Sequence, residues 1–229
     1  MRVLVVGLLT LTLAPALSFA QSSGSNRSQS WDFSIGVIYQ DSQSVGGSGG
    51  PETPTPDTSS LDLDSEVGFG ANFTYNFSSH FALGVDLDYI KPKYTAILVS
   101  EDPNDPDIQI DHKLTQFNGR IKGTFNFMDG PFTPYVDLGF GWTNVDSNVA
   151  DGPPTTGCWW HPWWGYICSN FYSTFSSTET SWGGAVGLRY ELRNSSFLKL
   201  SYNRWELDSG GNSDDFSLDS ARLEYGWTF

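Results

Sequence analysis

The chain is short of cysteine, histidine, basic residues and long apolar runs, and each shortage narrows what it can be. Cys158 and Cys168 are its only cysteines in 229 residues, so at most one disulfide is available. The three histidines, His80, His112 and His161, lie on separate segments, which argues against a zinc site or a catalytic histidine pair. Twelve Lys+Arg stand against 26 Asp+Glu, a net charge of −14. That balance sets the surface as a whole against nucleic acid and anionic lipid patches. After residue 20 no apolar run is long enough to cross a membrane as a helix. What is abundant is aromatic residues, at 15%, and glycine, with 24. Such a composition suits many short strands better than helices.

The first twenty residues, MRVLVVGLLTLTLAPALSFA, read as a secretory signal. Arg2 gives a charged start, an apolar run reaches Leu13, and Ser18-Phe19-Ala20 supplies a small-x-small cleavage site. A spanning helix is the poorer reading, because the run is short and Pro15 interrupts its end. Residues 21–30 are expected to be a flexible lead-in, and 31–229 one folded domain. Export makes a Cys158–Cys168 disulfide the expectation.

The folded region alternates with period two, the strand signature. Trp31, Phe33, Ile35, Val37 and Tyr39 share one face, and Asp32, Ser34 and Gly36 the other. Eight such segments are expected, near 31–41, 65–77, 80–99, 110–127, 132–146, 178–191, 196–208 and 216–229. Their connections alternate in length. Ser78-Ser79, Met128 to Pro131 and Leu192 to Ser195 are tight turns. The stretches 42–64, 100–109, 147–177 and 209–215 are longer, polar loops. This is the plan of an all-β, eight-stranded antiparallel up-and-down transmembrane β-barrel, with turns in the periplasm and loops outside.

Which face touches lipid is decided by the less apolar one. It carries glycines, among them Gly36, Gly68, Gly70, Gly84, Gly139, Gly141, Gly183 and Gly187. Small residues suit a narrow interior. The same parity carries Asp86, Asp88, Arg120, Lys122, Asp137, Arg189, Glu191, Lys199, Arg222 and Glu224. Five acids and five bases cancel in a chain that is otherwise acidic. At about 3.3 Å per residue they gather in the turn-side half, so a lumenal salt-bridge network in a polar, largely filled barrel is expected. The alternative is scattered surface charge with accidental balance. Aromatics at strand ends, namely Trp31, Tyr39, Tyr89, Trp142, Tyr190 and Trp205, are expected to form interface girdles.

The ending ARLEYGWTF alternates to the last residue. Leu223, Tyr225, Trp227 and Phe229 resemble the terminal-strand signal by which outer-membrane barrels are recognised and inserted. PFTPYVDLGFGW, SWGGAVGLRYEL and SLDSARLEYGWTF are similar in kind to stretches of the outer membrane protein W group. The whole mature chain also resembles the broader class that includes the membrane domain of outer membrane protein A. The resemblance implies a Gram-negative outer-membrane location, a lipid and lipopolysaccharide environment, and handling by the barrel-assembly machinery. It also implies, more weakly, a narrow passage for small molecules. The long third loop with its cysteines departs from both groups. No cofactor or metal is expected, and the sequence does not fix an oligomeric state.

Three sites of possible chemistry remain. His112 with Asp111 and a neighbouring serine would be the core of a lipid-modifying enzyme, the weakest alternative. EDPNDPD, 101–107, reads as a solvated acidic turn, with weak divalent-cation binding as the other reading. CWWHPWWGYIC places Trp159, Trp160, His161, Trp163, Trp164 and Tyr166 between the two cysteines. The preferred expectation is a cap that folds over the barrel mouth or dips into the outer leaflet. The competing one is a surface recognition or adhesion element. A structural or narrow-channel barrel without enzymatic activity is the functional expectation.

Overall fold

The computed structural model describes residues 27–47, 59–98, 108–192, 194–208 and 216–229. Fourteen strands run along them. They are β1 (Ser30–Gln40), β2 (Gln43–Gly47), β3 (Ser59–Leu63), β4 (Glu66–Asn76), β5 (Phe81–Ile90), β6 (Lys93–Leu98) and β7 (Ile108–Lys113). They continue with β8 (Thr115–Asn126), β9 (Phe132–Ala150), β10 (Thr155–His161), β11 (Gly165–Phe171), β12 (Thr174–Glu191), β13 (Ser196–Asp208) and β14 (Phe216–Thr228). Eight of them close an antiparallel barrel in the order β1-β14-β13-β12-β9-β8-β5-β4. The described residues contain no helix.

The wall is inside out relative to a water-soluble barrel. Along β5, Ala82, Gly84, Asp86, Asp88 and Ile90 are buried while Phe81, Leu83, Val85, Leu87 and Tyr89 are exposed. β14 repeats this, with Arg222 and Glu224 inside and Leu223, Tyr225 and Trp227 outside. A continuous apolar exterior around a polar interior is stable only where lipid replaces water outside. β1, at 11 residues, has the length of a tilted membrane-spanning strand. Tight hairpins close one end: the Phe77 N–H donates to Phe81 O (2.9 Å), and the Leu192 N–H to Ser196 O (2.8 Å). The start of β1 meets the last residue at that end, where the Trp31 and Phe229 backbones exchange hydrogen bonds of 2.8 and 2.9 Å.

The opposite end differs from expectation. The segments expected over 80–99 and 110–127 each divide, into β5 with β6 and β7 with β8, at Pro92 and Leu114. Proline has no N–H for a ladder, and the Leu114 N–H donates instead to Pro92 O (2.8 Å). The outer pieces join β2 and β3 in a second, four-stranded sheet of order β2-β3-β6-β7. Part of the loop expected over 42–64 is therefore strand. So is much of 147–177, because β9 and β12 run on as a paired arm to Ala150 and Thr174, and β10–β11 forms a hairpin beyond it. These stretches are rich in Gly, Ser and Thr and lack a clear apolar alternation, so pairing rather than patterning makes them strands. Burial pushes the Tyr94 phenol above its ordinary value, which keeps it a donor to Ser147 O (3.2 Å), tying the outer sheet to the arm.

The leader, 1–20, and the acidic stretch 101–107 lie outside the described residues. Of the lead-in expected over 21–30, Arg27 to Gln29 form a turn and Ser30 opens β1.

Candidate functional site: the lumen and the aromatic hairpin

The barrel interior has two storeys. The turn-side storey is ionic. Lys122 Nζ lies between Asp86 (2.9 Å) and Asp137 (3.0 Å). Arg120 reaches Asp88 (2.8 Å). Arg222 contacts Asp88 (2.9 Å), Glu224 (3.2 Å) and Asp86 (3.6 Å). The Asn72 amide donates to Asp86, and the Ser34 hydroxyl to Glu224 (3.0 Å). These groups come from β4, β5, β8, β9, β14 and β1, so the bonds cross the lumen. Register explains the meeting: Asp86 sits opposite Arg120, and Asp88 opposite Gly70. A Cβ at Gly70 would run into the Asp88 carboxylate and the Arg222 guanidinium.

Nearer the turns, Arg189 pairs with Asp32 and lies 3.3 Å from Glu191. Arg27 approaches the same Glu191 oxygen at 2.8 Å and donates to Met128 O (3.0 Å). Thr228 donates to Asp32 (2.6 Å). Lys199 is the exception among the ten charged residues singled out from sequence. It sits in register between Arg189 and Glu224, but rests on the rings of Phe197 and Tyr135, 5.3 and 5.5 Å from their centroids. Two members of the network escaped the sequence reading. Asp32 carried the signal, since it shares parity with Ser34 and Gly36. Arg27 carried none, because it precedes the first alternating segment. With them the lumenal charges number six acids and six bases, and the neutrality is kept.

The outer storey is mixed: Gln40, Gln116, Asn118 and Thr143 are buried there and linked by hydrogen bonds, Gln40 to Gln116 (3.4 Å), Gln116 to Asn118 (3.1 Å) and Thr143 to Asn118 (2.8 Å), beside apolar side chains. Ile38, Ile90, Trp205, Leu207 and Leu218 are buried there. Trp205 corrects an expectation: it is 2% exposed and lies under the Arg120 guanidinium at 4.4 Å, not in a lipid-facing girdle. Its parity with Lys199, six residues earlier on β13, is the reason. Trp31, Tyr39, Tyr89, Trp142 and Tyr190 are exposed on the lipid face.

The terminal residues Leu223, Tyr225, Trp227 and Phe229 also face outward. β14 pairs with β1 along the closing seam, and Trp227 stacks against Phe33.

The hairpin carries the second concentration of functional residues. Cys158 and Cys168 form a disulfide between directly opposed positions of β10 and β11. Trp160, Trp163, Trp164 and Tyr166 are 70–83% exposed, so they pack on almost nothing in the chain. The tip is organised nevertheless. The Trp163 N–H donates to His161 Nδ1 (3.3 Å), and the His161 ring lies 4.2 Å from that of Trp164. Trp159 packs on Phe171 at 5.5 Å. Residues 152–178 contain no Asp, Glu, Lys or Arg, in a chain otherwise rich in acid. These exposures run against a cap over the mouth, which would bury the rings.

The structure does not assemble the hydrolase arrangement considered for His112. Its ring faces Tyr94 (6.3 Å), while the Asp111 carboxylate accepts from the Thr95 hydroxyl (2.8 Å). His80 does sit beside Ser79 (3.0 Å) and Asp129 (3.5 Å), but both approach the same nitrogen, Nδ1. A triad needs its acid and its nucleophile on opposite ring nitrogens.

A closed eight-stranded barrel with a lipid-facing apolar wall and an ion-paired interior is an integral membrane protein of the bacterial outer-membrane type. The chain belongs to the outer membrane protein beta-barrel domain family, whose sequence profile matches residues 6–229; it is an integral outer-membrane barrel. No curated protein matches the sequence. Among solved structures it is similar to the outer membrane protein OprG from Pseudomonas aeruginosa, with 16% identity, 90% of this chain and 98% of that chain covered, and a TM-score of 0.54. It is also similar to Ail, the attachment invasion locus protein of Yersinia pestis, with 16% identity, 88% and 99% covered, and a TM-score of 0.44. At 16% identity the likeness to OprG is one of fold.

Proposed function

We propose that this barrel is a non-catalytic, closed-lumen scaffold that holds the aromatic hairpin away from the membrane as a surface recognition element. The observation that carries the reading is the contrast in burial. The lumen is crossed by ion pairs whose members are almost all buried, while the four large tip rings are exposed. A buried network of this kind resists opening, because removing a partner strands a charge. Exposed tryptophan and tyrosine on a rigid support are what contact surfaces use. The scaffold reaches its place by an export signal in 1–20. Leu223, Tyr225, Trp227 and Phe229 are presented to the barrel-assembly machinery, and lipopolysaccharide surrounds the finished wall.

Purified protein in planar bilayers is expected to give no unitary currents. Its tryptophan emission is expected to shift to the blue with one member of a panel of oligosaccharides and zwitterionic lipid vesicles. The shift should be lost in Trp163→Ser/Trp164→Ser with the barrel still folded. A second reading, a narrow passage for small molecules, is favoured by the less ionic outer storey, where Trp205 and Ile90 are buried beside neutral polar side chains such as Gln116. Unitary currents, or uptake of a small apolar solute by proteoliposomes, would move the assignment to it.

A further inference from the structure

We propose that Lys91 and Lys113, with Lys93 beside them, form a binding site at the outer rim for the phosphate of an outer-leaflet glycolipid. Of the twelve basic residues, Arg2 lies in the leader and six line the lumen. Arg193 lies outside the described residues. Arg204 is near Asp219 (3.9 Å) on the wall. The other three, Lys91, Lys93 and Lys113, all lie where the barrel meets the outer sheet. Among the described residues, a chain with a net charge of −14 thus concentrates its surface cations without an ion-pair partner at one place.

Their height in the membrane selects the partner. Tyr89 and Phe117 oppose each other in register on β5 and β8, both facing lipid. Lys91 lies two residues beyond Tyr89, about 7 Å further along, with its ammonium 5.4 Å from that ring. Aromatic residues mark the interface, so lysines just above them stand at headgroup level, where basic clusters recognise lipid phosphate.

The place is a formed cavity, about 400 Å³, between the outer edge of β7 and the β9 arm. Lys91, His112, Lys113, Thr115 and Asn148 line it, together with Asp111. Asn148 adopts a left-handed conformation (φ 55°), and its amide donates to Lys113 O (2.7 Å) and to Thr115 Oγ1 (3.0 Å). Thr115 therefore accepts through its oxygen and keeps its hydroxyl hydrogen for a ligand. The one acid, Asp111, is engaged with Thr95 (2.8 Å). A second observation points the same way. Lys93 and Lys113 are direct cross-strand partners, and like charges so placed are destabilising. Among the described residues no carboxylate lies within ion-pair distance of either. A bound phosphate would relieve that repulsion. The site does not depend on the hairpin or on whether the lumen conducts.

Full-length protein in detergent, presented with bisphosphorylated lipid A and with the same glycolipid stripped of phosphate, tests this by native mass spectrometry. The phosphorylated form alone is expected to be retained. Lys91→Gln/Lys113→Gln should weaken it about tenfold or more, given about fivefold per lysine near an anionic headgroup. Lys91→Arg/Lys113→Arg should keep it. Unboiled gel mobility establishes that each variant is folded; if the double variant is not, Lys91→Gln decides, since Lys91 lies outside the strands. Equal retention by wild type and variant, or equal retention of the two glycolipids, overturns the proposal. Displacement by millimolar inorganic phosphate also overturns it, assigning the cavity to free anion.

Discussion

Lys122 is the residue on which the lumen most visibly turns. Its ammonium is shared by Asp86 and Asp137, from strands on either side of its own. Lys122→Ala would leave two carboxylates facing each other in a closed space. Breaking such a buried pair costs about 3–5 kcal/mol, so the variant's urea midpoint in lipid should fall well below that of wild type. Lys199→Met offers a control within the same storey. Lys199 rests on aromatic rings without a carboxylate contact, and an apolar replacement of similar length should be tolerated far better. Equal losses would mean that the network does not work through its pairs.

At the scale of single elements, the hairpin behaves as a unit apart from the wall. Its disulfide closes a short loop, worth about 2–4 kcal/mol to the loop's order. Cys158→Ser/Cys168→Ser should speed proteolytic cleavage within 155–171 and leave the boiled-against-unboiled mobility shift of the barrel unchanged. The eight wall segments were legible from sequence because lipid outside and ions inside force a strict two-residue alternation. Trp31 to Tyr39 and Phe81 to Tyr89 could hardly be read otherwise. The outer strands were not legible. β2 and β3 are Gly- and Ser-rich, β10 and β11 mix Thr, aromatics and cysteine on both faces, and none shows the wall's strict alternation. The charges followed the same rule: Asp86 to Glu224 were readable from parity, as Asp32 could have been. Arg27 was not, since it reaches Glu191 from a turn with no periodicity.

The whole molecule places its charges by depth. The lumen is neutral, the rim holds three lysines, and the chain's remaining excess is acidic. Through this runs the arm of β9 and β12. From Trp142, on the lipid face, to Ala150 is about 26 Å along the strand, and β10 beyond it is itself about 20 Å long. Ionic fields at physiological salt fade over about 8 Å. The hairpin tip, without a formal charge of its own, thus lies beyond an arm about three times that length. Whatever it touches should be met with nearly the same strength at 50 and at 500 mM salt, whereas a partner held by the rim lysines should be shed as salt rises. One envelope protein would then answer to ionic strength at its waist and ignore it at its fingertip.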